Sequence, residues 1–363
     1  MWFPFTAIFS SPTTPAPAQT LHRPKPVVTP PPLTTIIDPQ GQQRQLDSEL
    51  ARGGEGSIYP LQDRPEVLIK LYHPEVLQKR GALLQQKVEQ MTTLATTLPD
   101  SLSWPKLSVF HPNHPDRWLG YAMRRMEGKP MKLMAHAVAY RKHFPGLDRI
   151  AMVNYLLQLL KLLDELHQKQ IFIGDYNLNN ILCQPGSNRV GLIDCDSYQV
   201  SLNGKHYPCP VGSPDMTPVE HHGQSFEQLV RTPESERFSV AMILFKALML
   251  GRHPYDIVGG DDPVTNLKRG NFPYGKGKYG IPEGHWYNIW SHMPHKLKSM
   301  FISTFTDGVH DPALRPTLQQ WHDELKLYRK NMQRDWHDTR VIPPEPKSSE
   351  YRGNRSDISR ESC

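Results

Sequence analysis

The sequence predicts an α+β fold, as one bilobal domain or two ordinary ones: a β-rich part carrying one main helix, then a larger, mostly helical part. Three observations lead there. Short β-like runs broken by turn residues fill residues 35–126, with one amphipathic stretch among them. Long apolar runs of helical character dominate residues 127–330. Where the texture changes, the strand-like WLGYAM runs into the glycine-containing connector RRMEG, a β-to-loop junction whose place in the order suits a hinge. At 363 residues and 38% hydrophobic, the chain is long enough to bury a large core.

Taken in order, residues 1–34 are rich in proline and threonine and end RPKPVVTPPPLT. They hold too little periodic apolar content to repay the entropy of ordering, so a disordered leader is expected. A polyproline II ligand for a partner with an aromatic groove is the second reading of that segment. From Thr35 the strands are TIID, a turn at Pro39-Gln40-Gly41, QRQLDSEL, ARGGEGSIYPL and EVLIKLY. Residues 77–98 carry apolar positions at Leu84, Val88, Met91 and Leu94 or Ala95, the spacing of one amphipathic helix. Two more strands lie between Trp104 and Glu127, around a turn from His111 to Asp116. The run from Arg149 to His167 is apolar on most of its faces, as a helix inside a lobe is. A second buried helix, of about sixteen residues, begins ERFSVAMILF and stops at Gly251 and Pro254. The end, residues 331–363, is polar and charged and is expected to be a disordered tail.

Charge excludes little. With 42 basic and 36 acidic residues the net charge is +6, and no long Lys/Arg run makes a case for nucleic acid. The cysteines Cys183, Cys195, Cys209 and Cys363 show no C-x-x-C spacing, which argues against a zinc ribbon or a disulfide framework and for reduced thiols. The opening MWFPFTAIFSS is short, broken by Pro4 and without the basic residues that precede a secretory apolar core. No stretch has the eighteen or so apolar residues of a membrane span. A cytoplasmic protein is therefore expected.

The chemistry gathers in Ile171 to Gln199. Asp175 and Asn180 stand five residues apart, and a second acidic pair, Asp194 and Asp196, closes the apolar run Val190-Gly191-Leu192-Ile193. Carboxylates and an amide at strand ends suit metal-bound phosphate, where a protein chiefly positions reactants and neutralises charge. A polar loop between two buried strands is the plainer alternative. Upstream, Gly53, Gly54 and Gly56 lie between two strands, so this loop would fold over phosphates from a hairpin and does not open a helix as Rossmann and P-loop glycines do. Lys70 follows in the apolar strand Val67-Leu68-Ile69, and a buried lysine there needs an anion.

These pieces, in this order, resemble the eukaryotic-like protein kinase superfamily from roughly Thr35 to Lys330. Ala51-x-Gly53-x-x-Gly56-x-Ile58 lies on the glycine-rich loop pattern, with alanine for the first glycine; Pro218-Val219-Glu220 stands for Ala-Pro-Glu; and Asp311-Pro312 with Arg315-Pro316-Thr317 matches the partner motif downstream. RGGEGSIY, Ile173-Gly174-Asp175 for His-Arg-Asp, and Asp194-Cys195-Asp196 for Asp-Phe-Gly are similar to the divergent bacterial kinases associated with von Willebrand A-type and PP2C-type phosphatase proteins.

The resemblance implies a bilobal protein-kinase-like fold, with an N-lobe over 35–126 and a C-lobe over 127–330. It implies an ATP-dependent enzyme, using Mg²⁺ or Mn²⁺, that phosphorylates Ser/Thr hydroxyls of protein substrates and its own. Asp175 would orient the acceptor hydroxyl, and Asn180 and Asp194 would hold metal. Lys70 would bind phosphates and pair with Glu89, nineteen residues on. Ala51, Gly53, Gly54 and Gly56 would cover the nucleotide. Ile58 and Leu182 would sandwich adenine, Met123 would guard the back of the pocket, and Arg124 to Met126 would offer backbone hydrogen bonds to the purine. Glu220 and Arg315 would form a buried ion pair, and Glu236 would hold the catalytic-loop backbone. No arginine precedes Asp175, which implies no basic group there to read a phosphorylated loop, and Asn177 replaces a γ-phosphate lysine. Two other readings stay open: a pseudokinase scaffold, and a kinase-fold transferase acting on a non-protein acceptor.

Overall fold

The computed structural model describes residues 33–275 and 280–344. All but the last two residues of the leader, and the tail from 345 onward, lie outside the described residues.

Seven antiparallel strands form the first sheet. They are β1 (Thr35–Ile37), β2 (Gln43–Gln45), β3 (Ala51–Arg52), β4 (Gly56–Pro60), β5 (Val67–Tyr72), β6 (Leu107–His111) and β7 (His114–Arg124), ordered β2-β1-β6-β7-β5-β4-β3. Period-two alternation in β5 puts Leu68, Lys70 and Tyr72 on one face. Leu68 and Tyr72 pack there with Trp118, Tyr121 and Met123 of β7 against Leu84 and Val88 of helix α1 (Pro74–Thr92). The strands approach closely at two glycines: a Cβ at Gly56 would overlap the Leu71 carbonyl, and one at Gly120 the Lys70 carbonyl.

Helix α1 starts three residues before the apolar pattern because Pro74 occupies its first turn, where the missing N–H costs nothing. Its buried stripe is Leu84, Lys87, Val88 and Met91. The chain leaves the helix at Thr92, so Leu94 and Ala95 follow it as partly buried residues of the connecting turn.

Short strands β8 (Lys129–Pro130), β9 (Ile181–Cys183) and β10 (Val190–Leu192) make a second sheet, and β11 (Val200–Leu202) pairs with β12 (Lys205–Tyr207). The rest is helical: α2 (Met131–Met134), α3 (Ala139–His143), α4 (Arg149–Gln168), α5 (Pro233–Leu248), α6 (Pro263–Lys268), α7 (Trp286–His292), α8 (His295–Phe305) and α9 (Leu318–Met332). Asp148 caps α4 by accepting from the Ala151 N–H at 2.7 Å. A reciprocal box of Thr232 and Ser235 caps α5, whose sides are buried almost all round, as its unbroken apolar sequence anticipates.

The tail differs from expectation. Helix α9 carries through Met332, and the chain beyond it packs on the fold to Pro344 instead of leaving it at 331. Arg149, 1% exposed, donates to the carbonyls of Leu248 and Val341, all at 3.2 Å, and its N–H reaches the Thr339 carbonyl at 2.7 Å. A buried guanidinium has five donors to satisfy, and here the end of α5 and the irregular chain after α9 both supply acceptors.

Candidate functional site

Lys70 is the buried centre of the site. Its Nζ donates to Asp194 Oδ1 at 2.9 Å and to both oxygens of Asp196 at 2.9 and 2.8 Å. Asp196 also accepts from Tyr72 Oη at 2.5 Å and Tyr121 Oη at 2.7 Å, so a carboxylate 3% exposed has four donor contacts. Burial works against the Lys70 ammonium, but Asp196 and then Asp194 outweigh it and hold its pKa above the ordinary range. Burial likewise works against the Asp196 carboxylate, and Lys70 with the two phenols outweighs it, keeping that group ionised.

Asp194 sits in the left-handed region, at φ +62° and ψ +36°. A non-glycine residue pays about 1–3 kcal/mol for such a backbone, which persists only where surroundings enforce it. Two contacts do so here: Ile193 N–H donates to the Asn180 carbonyl at 3.0 Å, and Ser197 Oγ to the Asp194 carbonyl at 2.9 Å. The first of these joins the two predicted metal-binding segments directly. Asn180 and Asp194 offer hard oxygen donors, the latter half-exposed, which fits Mg²⁺, an ion commonly held by one or two carboxylates together with phosphate oxygens. Among the described residues no group of three or more His, Cys, Asp or Glu forms an all-protein cage.

The loop bearing Asp175 is held from α5. Glu236 accepts from the N–H groups of Ile173 at 3.1 Å and Gly174 at 3.2 Å, so the glutamate does reach the loop as expected. Burial, and then the charge of Asp194, raise the Asp175 pKa, while Arg231 opposes the shift. Gly174 has φ +73°, and a Cβ there would stand 2.5 Å from Arg231 Nε and 2.8 Å from Cys209 Cβ. Arg231 therefore places a buried guanidinium beside Gly174, although no basic residue directly precedes Asp175 in the sequence. Its guanidinium donates to the carbonyls of Cys209 and Val211 at 2.9 and 3.0 Å, and both side-chain ends of Gln199 clasp its backbone. Nothing in the sequence around Arg231 marked it.

Glu89 is not brought to Lys70. It is exposed on α1 and accepts from Gln85, as the helical spacing of four dictates. The charged side chain that α1 does turn inward is Lys87, which donates to the Pro208 carbonyl at 3.4 Å. Asp196 holds the position at Lys70 that the helix glutamate was expected to fill. The sequence did contain a signal, an extra acidic residue two beyond Asp194, but nothing in its spacing tied it to Lys70.

The glycine hairpin is anchored to the start of α1. Glu55, at its tip, pairs with Arg80 and its carbonyl accepts from the His73 N–H at 2.8 Å. Gly54 has nothing within 4 Å of a would-be Cβ, and Gly53 only the Gly56 carbonyl at 3.8 Å, so those two leave open space above the loop, whereas Gly56 is required by sheet contact. Ala51 pairs with Ile58 across the hairpin. Met123 is buried and pairs with Leu68, and Leu182 lies in β9 opposite Gly191, whose position faces Met126. Arg124 turns its guanidinium to Asp100 at 3.1 Å and its carbonyl to Ser103 Oγ at 2.8 Å; Arg125 N–H is taken by the Glu66 carbonyl. Beside the Asp175 loop, Tyr176, Asn177 and Asn179 line a cavity of about 380 Å³ with Ser213, Lys246 and Trp286.

Further out, Arg315 and Glu220 pair as expected, bidentate at 2.6 and 2.8 Å, but only the arginine is buried while Glu220 is exposed; Arg315 Nε donates to the Gly308 carbonyl at 2.7 Å.

Over 310 residues the chain is 27% identical to protein kinase YegI of Escherichia coli K12, covering 82% of this chain and 47% of that protein. The chain has a kinase-like relative. The O157:H7 protein of the same name matches equally, at 27% over 310 residues. The chain thus spans about half the length of the curated relatives it matches. No family model matches it. Mixed helix and antiparallel sheet are consistent with that relative. Among the described residues no helix is long and apolar enough to cross a membrane.

Proposed function

We propose that this chain is a cytoplasmic protein kinase, dependent on ATP and Mg²⁺ or Mn²⁺, that transfers the γ-phosphate to Ser/Thr hydroxyls. The observation that carries the reading is the convergence of Lys70, from the first sheet, with Asp194 at 2.9 Å, while Asp194 is tied through Ile193 to Asn180. Residues 35–126 and 127–330 then act as the two lobes around the nucleotide.

Lys70 would bind the nucleotide phosphates, and Asn180 and Asp194 would hold the divalent ion. Bound there, that ion neutralises the charge that develops on the transferred phosphate. Asp175 orients the acceptor hydroxyl and takes its proton as the oxygen bonds to γ-phosphorus and the bond to the ADP oxygen breaks. Gly53 and Gly54 leave room above the phosphates, and Met123, Leu182 and Ile58 bound the base. Of the candidate acceptors on the chain itself, Ser197, Ser201 and Ser213 are at least partly exposed, whereas Thr217 is buried and donates to the Ser213 carbonyl.

The absence of the usual basic residues at Gly174 and Asn177 favours a second reading, a nucleotide-binding scaffold without transfer. A PP2C-type phosphatase and a von Willebrand A-type protein are proposed partners, together with an aromatic-groove partner for the proline-rich leader. The test is incorporation of label from γ-labelled ATP by wild type and Asp175→Ala, with thermal stabilisation by ATP and Mg²⁺ in wild type and Asp194→Ala. Transfer lost in the first variant and stabilisation weakened in the second support the kinase; equal incorporation by wild type and Asp175→Ala refutes it. Stabilisation without transfer supports the scaffold, and label transferred from the α position supports a different transferase chemistry.

A further inference from the structure

We infer that Asp196 is the positioning residue for Lys70, doing from the acidic loop what a glutamate on α1 was expected to do; the inference rests on the kinase reading above. Helix α1 has two carboxylates, Glu75 and Glu89, and both are exposed. The α1 residue that is buried on the inward stripe, Lys87, is itself a cation and repels an ammonium. Asp196 instead meets Lys70 with both oxygens, and Tyr72 and Tyr121 fix those oxygens from β5 and β7. Lys70, Tyr72 and Tyr121 all belong to paired strands, Lys70 lying directly opposite Tyr121 in the register. The carboxylate is thus locked to the sheet by four hydrogen bonds from three side chains, none of them on α1.

The division of labour follows from exposure. Asp194 and Asp196 both touch Lys70, but the Asp194 side chain is 46% exposed and that of Asp196 is 3% exposed. When phosphates and a divalent ion enter, Asp194 is free to turn to the ion, while Asp196 stays enclosed and keeps the lysine aimed. A helix carboxylate makes lysine alignment depend on where the helix sits. Here the lysine and its partner are held together whatever α1 does, so the phosphate-binding half of the site is assembled before nucleotide arrives. This is preorganisation of a charged group by a buried, fully donated carboxylate.

The experiment is a double-mutant cycle on full-length protein, read by calorimetric affinity for ATP with Mg²⁺ and by the split between KM for ATP and kcat. Asp196→Asn keeps the shape and removes the charge; it is expected to weaken ATP affinity and raise KM about tenfold or more. Glu89→Gln is expected to change neither. In a Lys70→Met background, Asp196→Asn should have no further effect, because its role acts through that lysine. A merely structural Asp196 would give additive effects in the cycle, and that result overturns the inference, as does a loss in Glu89→Gln equal to that in Asp196→Asn. If Asp196→Asn fails to fold, Asp196→Glu, which keeps the charge on a longer arm, replaces it in the same cycle with the same criterion of non-additivity. Wild type that binds ATP without transferring phosphate refutes the kinase reading and leaves the affinity cycle decisive. Wild type that binds no nucleotide overturns both.

Discussion

Replacing Lys87 by methionine should stabilise the protein at neutral pH. The side chain lies on the buried stripe of α1 and its ammonium donates to the Pro208 carbonyl at 3.4 Å. Burial pushes its pKa from 10.5 down to about 8. The difference of about 2.5 units, at 1.36 kcal/mol each, is a penalty of about 3 kcal/mol for holding the charged form inside. The sign follows from proton counting. Below pH 8 both folded and unfolded chains carry the proton and the penalty is fully present. Between pH 8 and 10.5 the folded chain has lost it while the unfolded chain still binds it, so wild-type stability recovers as pH rises. Methionine fills similar space without charge, and losing the bond to Pro208 returns about 1 kcal/mol. The net gain at pH 7 is about 2 kcal/mol. With an unfolding entropy of about 2.1 cal/mol/K per residue over roughly 300 residues, that raises Tm by about 3 °C. Thermal melts of Lys87→Met and wild type at pH 7 and 10.5 check it. The variant should lead at pH 7 and lose its lead at pH 10.5; equal stability at pH 7, or an undiminished lead at pH 10.5, would refute the reasoning.

Two other substitutions test the frame around the site. Arg315→Ala strands the carbonyls of Gly308 and Val309 and leaves the exposed Glu220 carboxylate to solvent, and should cost about 1–3 kcal/mol in denaturant unfolding. Burial opposes the Glu220 charge but Arg315 outweighs it and lowers its pKa, so the pair's contribution is present above pH 4.5 and fades as pH falls through the folded value; acid unfolding of the variant should lack that component. Gly174→Ala meets both a positive φ and the Arg231 guanidinium, whereas Gly186→Ala meets a similar φ of +75° with nothing within 4 Å. Both should pay the backbone strain, about 1–3 kcal/mol, but only Gly174→Ala should also abolish phosphate transfer.

Much of the candidate site could be proposed from the sequence because its parts are local. Asp175 to Asn180 and Asp194 lie within one short stretch, and the glycine hairpin leads directly into the strand of Lys70. The contacts of Glu236 and of Glu220 with Arg315 were anticipated through the resemblance, from the motifs Pro218-Val219-Glu220 and Arg315-Pro316-Thr317 and from the place of Glu236 at a helix start. Glu89 failed for a plain reason: nineteen residues of spacing do not say which side of a helix faces in, and at that height Lys87 does. The end of the fold was misplaced at 331 because polar chain was equated with free chain, whereas carbonyls of Thr339 and Val341 are what the buried Arg149 needs.

What the sequence determined by itself was the order of the main strands and helices, the buried stripes, and the type of chemistry that two carboxylates, an amide and a lysine permit. Those follow from periodicity and residue type, which act over a few positions. Only the tertiary structure decided who partners whom. Asp196 lies 126 residues from Lys70, and Arg231 reaches the space over Gly174 from a loop ahead of α5. The physical reason is that a buried charge must be met by any counter-group the packed chain brings within about 3 Å, and no rule of spacing along the sequence selects which one that is.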